Sequence, residues 1–372
     1  MCYNVFRMLE EYKLEELVEP AIRWYKENKR DLPWRVDKDP YHIWVSEIML
    51  QQTRVEAVKG YYERFLHRLP TIEALAKCPE DELLKLWEGL GYYNRVRNMQ
   101  RAAKEMMESY EGNFPRTYEE ILALPGIGNY TAGAIASIAF GLPHPAVDGN
   151  VLRILCRAAE DDRDIKKEST KKEIQALLTP VMPKDASGEF NQALMEIGAC
   201  VCVPNGQPLC EACPWKNLCL TNKHNTYEKY PVKSKPLKRR IEKKTILLVM
   251  DGNRILIQKR PAKGLLAGLY EFPGQDGHIN RKDVVAFARD RGLDPILVET
   301  LPAAKHIFSH VEWHMIGYLI RVADLSDAPT IAGNLLVSKE KIQSEYAIPS
   351  AFKTYADCVQ LELGKNAFHK QQ

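Results

Sequence analysis

Residues 124–135 read LPGIGNYTAGAI, and the fold turns on what Gly126 and Gly128 are for. A glycine pair ahead of a helix lets the backbone bend sharply and approach an anion closely. A dinucleotide fingerprint would need a strand before Gly126, yet TYEEILAL at 117–124 spaces its apolar residues as a helix does. A P-loop would need Gly-Lys-Ser/Thr, which does not follow. What remains is helix, tight hairpin, helix across 117–141. Leu124 and Pro125 close the first helix, Gly126 and Gly128 turn the chain, and the free amides opening the second helix can bind one phosphate. The plainer alternative is an ordinary glycine C-cap.

Outward from the hairpin, helical periodicity runs from Leu14 to about Leu220, through KLEELVEPAIRWYKEN, HIWVSEIMLQQTRVEAVKGYYERFL, DELLKLWEGL, NRVRNMQRAAKEMMESY and EFNQALMEIGA. Residues 223–244, KHNTYEKYPVKSKPLKRRIEKK, are polar with two prolines and read as a linker. Beyond them come β-like runs, TILLVM and RILIQKR around Asp251-Gly252-Asn253, then HMIGYLIRV, with a helix expected at KDVVAFARD. The expected domains are therefore 1–222, helical, then the linker 223–244, and 245–372, α+β. At 372 residues the chain is long enough for each to have its own core. With 52 basic and 49 acidic residues the net charge of +3 does not by itself argue for a nucleic-acid partner. No apolar run approaches the ~20 residues that span a bilayer, and acidic residues stand near the N-terminus where a signal peptide is apolar. A cytoplasmic protein with no membrane partner is expected.

Three features carry chemistry. Asp148, in HPAVDGNVLRIL, precedes a helix at about 149–159 and reads first as an N-cap. Glu47, in WVSEIMLQQTRV, has Val45, Ile48, Met49 and Leu50 beside it. Apolar company raises a carboxyl pKa and suits a general acid, although spacing equally allows a solvent-facing glutamate. Of nine cysteines, five crowd into 200–219, where a reducing compartment points to metal rather than disulfides. Cys202, Cys210, Cys213 and Cys219 are separated by seven, two and five residues. Structural zinc usually takes two close pairs; a [4Fe-4S] cluster accepts uneven spacing. Cys2, Cys78, Cys156 and Cys358 read as ordinary thiols.

The hairpin followed by Val-Asp-Gly-Asn-Val resembles the helix-hairpin-helix superfamily of DNA glycosylases. SEIMLQQTRV, RDLPWR, LWEGLGYYNRVRN, LPGIGNYTAGAI and VDGNVLR together resemble its MutY-type adenine branch. The resemblance implies an all-α helix-hairpin-helix glycosylase domain with a [4Fe-4S] cluster loop at 200–220, and a C-terminal α+β Nudix-like domain. It implies Glu47 as the acid that protonates adenine, Asp148 as the group that stabilises the cationic sugar, and Tyr130 and Asn150 as their orienting partners. Arg30, Trp34 and Leu50 would surround the flipped adenine, while Gln52, Thr53, Leu90 and Tyr92 would meet the opposite lesion, with Tyr92 as a wedge. Gly126 and Gly128 would hold a DNA phosphate, and Lys216 or its neighbours would touch the backbone. Cys202, Cys210, Cys213 and Cys219 would ligate the cluster; their first interval is one residue longer than the family's usual one, so Cys200 stands as an alternative to Cys202. Enzymes of the superfamily that also cut the strand carry lysine where this chain has Tyr130, and a phenol forms no imine. The rival, a bifunctional endonuclease III-like glycosylase/lyase, is disfavoured on that ground.

KRPAKGLLAGLYEFPG at 259–274 resembles the start of a Nudix domain, yet QDGHINRKDVVAFARDRGL after it holds no glutamate for Mg²⁺. Recognition rather than pyrophosphate hydrolysis is expected. Phe308-Ser309-His310 resembles the loop with which MutY-type enzymes detect 8-oxoguanine. Without that resemblance, His306, His310 and His314 are a strand-associated polar cluster or a weak zinc hint. The expected partner is double-stranded DNA with adenine opposite 8-oxoguanine or guanine, met by a monomer associated with the nucleoid through DNA.

Overall fold

The structure is a computed structural model and describes residues 8–235, 238–323 and 334–364. The chain forms two compact units. One takes the described residues up to Lys77 together with Asn98–Lys235; the other takes Cys78–Arg97 together with the described residues after Pro236.

The first unit is helical. Val18–Asn28, Gly149–Ala159, Glu168–Leu178 and Ser187–Glu196 share one core, in which Val151, Leu155, Phe190, Leu194 and Ile197 are buried with Trp215. The indole of Trp215 donates to the Leu17 carbonyl at 3.0 Å, joining the cysteine-rich loop to that core. The periodic run at 42–66 is not one helix: Pro40–Leu50 ends and Val55–Arg68 begins again, with Gln52 between them at φ +59°. Apolar spacing continues across the break because both helices bury the same kind of face, so periodicity alone misses it.

The hairpin forms as expected. Thr117 and Glu120 make a reciprocal capping box on Tyr118–Ala123, and Gly128, extended, precedes Asn129–Phe140. Gly126 adopts φ +79°, and a Cβ there would lie 2.5 Å from the Cβ of Asn98. Both facts demand glycine. The strap after the hairpin is pinned by buried Asn191, whose side chain accepts from Ala146 N at 3.0 Å and donates to the His144 carbonyl and Ser137 Oγ, each at 2.8 Å. That leads the chain directly into Asp148.

In the second unit, seven strands form one sheet among the described residues: β1 Arg240–Asp251, β2 Arg254–Lys259, β3 Tyr270–Glu271, β4 Gly274–Asp276, β5 Pro295–Ile307, β6 Val311–Val322 and β7 Asn334–Ser338. The order is β3-β2-β1-β6-β5, with β4 also on β1 and β7 on β2; β1 and β6 are parallel, the other pairs antiparallel. Ile246, Leu248 and Met250 face one core with Phe352 and Tyr355, whereas Leu247 and Val249 face another with Val284 and Ala288 of the helix Arg281–Arg289. Coverage on both faces explains the unbroken apolar run TILLVM.

Two boundaries differ from the sequence expectation. Strand β1 begins at Arg240, inside the stretch read as a linker, because its first residues are polar and partly exposed and show no strand-like alternation. Residues 78–97 have a helical pattern, yet they pack with the sheet unit; amphipathic spacing marks a buried face but not which core buries it.

Candidate active site

Three helices of the first unit bring the proposed chemistry together. Pro40–Leu50 carries Glu47, whose side chain is buried. Asn129–Phe140 carries Tyr130 in its first turn, and the phenol donates to Glu47 Oε2 at 2.6 Å. Gly149–Ala159 is capped by Asp148: Oδ1 accepts from Asn150 N and Val151 N, and Oδ2 from the Asn150 amide, all at 2.8 Å. The N-cap reading and the catalytic reading of Asp148 thus describe one geometry, in which a helix N-terminus holds a carboxylate.

The electrostatics separate the two acids. Burial pushes Glu47 up from 4.5 to about 7, with the Asp148 charge adding to it and the Tyr130 and Arg35 contacts opposing it. Burial also raises Asp148, but two backbone N–H groups, the Asn150 amide and the Arg153 charge pull it back. The phenol of Tyr130 lies well above its usual range, through burial and then the neighbouring carboxylates. Burial thus shifts both carboxyls upward, Glu47 to about 7, while the three donors on Asp148 offset part of its rise, so the two acids meet different surroundings in one site.

Both open onto a cavity of about 670 Å³ that Arg30, Trp34, Leu50, Gln52, Thr53, Gly128, Tyr130, Asp148 and Asn150 also line. Sequence reasoning missed part of this wall. Glu196, at the end of Ser187–Glu196, takes Arg30 Nε at 2.6 Å and Arg35 at 2.7 Å, and after the cost of burial these guanidinium contacts bring its carboxyl down to about 2. Arg30 is therefore paired with a buried carboxylate while its own side chain stays partly exposed, and it is not a free donor. Gln192, one turn before Glu196, and Met195, next to it, line the same cavity. The signal was present in ALMEIGA, since an acid inside an apolar run needs a partner.

The cysteine loop separates Cys200 from its neighbours. Cys202, Cys210, Cys213 and Cys219 line a shared hollow of about 30 Å³ with Arg157 and Lys216, and Arg157 donates to Cys202 Sγ at 3.3 Å. The Cys200 thiol lies instead 3.9 Å from Glu196 Oε1. Burial, followed by the other thiols, pushes Cys213 up to about 12. Thiols placed against one another and an arginine fit a sulfur-ligated cluster, whose metal charge would offset the cost of ionising them. Among the described residues, no three His, Cys, Asp or Glu side chains converge on one ion. Lys216 pairs with Glu211 at 2.5 Å.

Gly126 and Gly128 are exposed at the hairpin tip. The remaining predicted residues belong to the second unit. Leu90 is buried, Tyr92 is half exposed, and Tyr92 OH lies 3.1 Å from Ser309 Oγ. Phe308 packs between the rings of His306 and Trp313, at 4.6 and 4.9 Å. Ser309 and His310 are exposed. His314 bonds Glu312 at 2.6 Å, so the three histidines form no common centre.

Residues 45–180 match the model for "HhH-GPD superfamily base excision DNA repair protein" and residues 245–357 that for the NUDIX domain. The chain is 33% identical over 310 residues to an adenine DNA glycosylase of Buchnera aphidicola subsp. Acyrthosiphon pisum, covering 82% of this chain and 87% of that one. It is 35% identical over 366 residues to that of Mus musculus, covering 83% and 70%. A thermostable thymine-DNA glycosylase superposes with TM-score 0.50 at 30% identity, over 56% of this chain and 96% of its own. No helix among the described residues is long and apolar enough to cross a membrane.

Proposed function

The chain belongs to the adenine DNA glycosylases, within the helix-hairpin-helix proteins of base excision repair, and on that premise we propose that it excises adenine opposite 8-oxoguanine, and opposite guanine more slowly, without cutting the strand. The observation that carries the chemistry is the buried Glu47 carboxyl, raised to about 7 and bonded to Tyr130, in the cavity that also holds capped Asp148.

Adenine must leave the stack to enter that cavity. Glu47 gives its proton to adenine N7; the C1′–N9 bond breaks with its electron pair moving to the base, and the sugar becomes an oxocarbenium ion. Asp148 stabilises that cation, as the second carboxylate of a glycosidase does. Water then adds to C1′ and returns a proton to Glu47, releasing adenine and an abasic sugar. Tyr130 and Asn150 hold the two carboxyl groups throughout. Tyr130 has no amine with which to form a Schiff base.

The opposite base is assigned to Tyr92 and Ser309, supported by their exposed position side by side. The helix Arg281–Arg289 carries no glutamate, which supports recognition over hydrolysis in the Nudix-like unit. Cys202, Cys210, Cys213 and Cys219 would hold a [4Fe-4S] cluster, which supplies structural closure of their loop. An iron and sulfide count tests the ligand set: Cys200→Ser keeps a full complement and Cys202→Ser loses it.

Single-turnover release of adenine, measured on duplexes with adenine opposite 8-oxoguanine, guanine or thymine, tests the whole reading. Release fastest opposite 8-oxoguanine, absent opposite thymine, and visible as strand breaks only after alkali is the expected result. Breaks without alkali would mean lyase chemistry and overturn it.

A further inference from the structure

Within the second unit, a buried ion pair joins two stretches of chain that are remote in sequence. Glu88 is 1% exposed and Lys85 4%. Glu88 Oε1 accepts from Ile348 N at 2.8 Å; Oε2 accepts from Lys85 Nζ at 2.8 Å and Gly364 N at 3.1 Å. Lys85 Nζ also donates to the carbonyls of Ile342 and Tyr346, at 3.2 and 3.1 Å. A buried charge pair contributes little net stability against an apolar substitute of the same shape; what it does supply is a unique register.

The register it fixes belongs to the turn that follows. Gly89, Gly91 and Tyr92 all have positive φ, at +98°, +69° and +48°. Trp87 Nε1 donates to the Gly91 carbonyl at 3.1 Å, and Arg95 to the carbonyls of Leu90 and Gly91 at 3.0 and 3.1 Å. The Arg95 guanidinium also sits 5.3 Å from the centre of the Trp87 ring and 5.8 Å from that of Tyr92. At the end of this chain of contacts stands Tyr92 OH, 3.1 Å from Ser309 Oγ. The backbone is therefore held from Glu88 through to the wedge, and the wedge meets the serine.

We propose that Glu88, with Lys85, is a positioning residue for opposite-base discrimination: it locks the Tyr92 turn onto the body that carries Ser309, so that the two meet the opposite base at a fixed separation. The inference rests on the assignment of Tyr92 and Ser309 to that base. Glu88 touches no substrate and acts through the turn. Removing its charge frees the turn to shift and leaves Tyr130, Glu47 and Asp148 untouched.

The test is the ratio of single-turnover rates for adenine opposite 8-oxoguanine and opposite guanine, in the full chain. Glu88→Gln is expected to lower that ratio by about fivefold or more, while the rate opposite guanine stays within about twofold of wild type. Because Glu88→Gln strands a buried lysine and can unfold the protein, Lys85→Met/Glu88→Gln removes both charges and carries the same expectation. Added to Ser309→Ala, the pair of substitutions should lower the ratio no further, since both routes act on one contact. An unchanged ratio in a folded variant, or equal loss on both duplexes, overturns the positioning role. A wild-type enzyme with no preference for 8-oxoguanine overturns instead the assignment on which it rests.

Discussion

Glu47 sets the pH behaviour. As an acid it must be protonated, so the single-turnover rate should hold on the acid side of about 7 and decline above it as the proton leaves. Glu47→Gln should lower the rate by on the order of 10²- to 10⁴-fold. The stability effect has the opposite sign. A carboxyl whose folded pKa lies above its ordinary 4.5 is a burden when ionised, so wild type gains stability as pH falls from about 7 to 4.5. Glu47→Gln should therefore be the more stable protein at pH 8, by up to about 3 kcal/mol, with the difference vanishing below pH 4.5; thermal unfolding across pH reads both limbs. Asp148→Asn separates function from folding in another way. Asparagine caps a helix as well as aspartate does, so unfolding should change by less than about 1 kcal/mol, while loss of the anion abolishes adenine release. Setting alone left both acids open, since the apolar neighbours of Glu47 equally allowed a solvent-facing glutamate and Asp148 before a helix read first as an N-cap; the resemblance singled them out. Neither identified Glu196, because the arginines that neutralise it lie more than 160 residues away.

The hairpin shows how far local pattern reaches. Its two glycines look alike in sequence, but their conformations differ: Gly126 has φ +79° with Asn98 against it, whereas Gly128 is extended and faces open space. Gly126→Ala should cost about 1–3 kcal/mol of stability, seen as a lowered melting temperature. Gly128→Ala should leave melting unchanged but weaken duplex binding by about fivefold, through loss of one close amide contact with phosphate. Helix–hairpin–helix was legible because glycine and proline punctuate it. The interruption at Gln52 was not, since nothing in LQQTRV marks a stop and the break is set by what the residues line.

The largest departure from the sequence reading is in the whole molecule. Both unit types were evident from the change of period near residue 240, but the allegiance of 78–97 was not, since Leu83, Leu84 and Trp87 would satisfy any core. A chain cut after residue 235 keeps every residue of the cavity around Glu47 and Asp148, but leaves Glu88 without Ile348 and Gly364. That fragment should still release adenine opposite guanine, lose its preference for 8-oxoguanine, and be cleaved by trypsin within 78–97, where the full chain resists; limited proteolysis with mass spectrometry reads the site. The same discontinuity has a consequence in time. A ribosome adds roughly 5–20 residues per second, and Ile348 follows Glu88 by 260 positions. Each newborn molecule therefore spends tens of seconds with Lys85 and Glu88 made and their backbone partners not yet synthesised, and the second unit cannot close around Glu88 until Gly364 has been added.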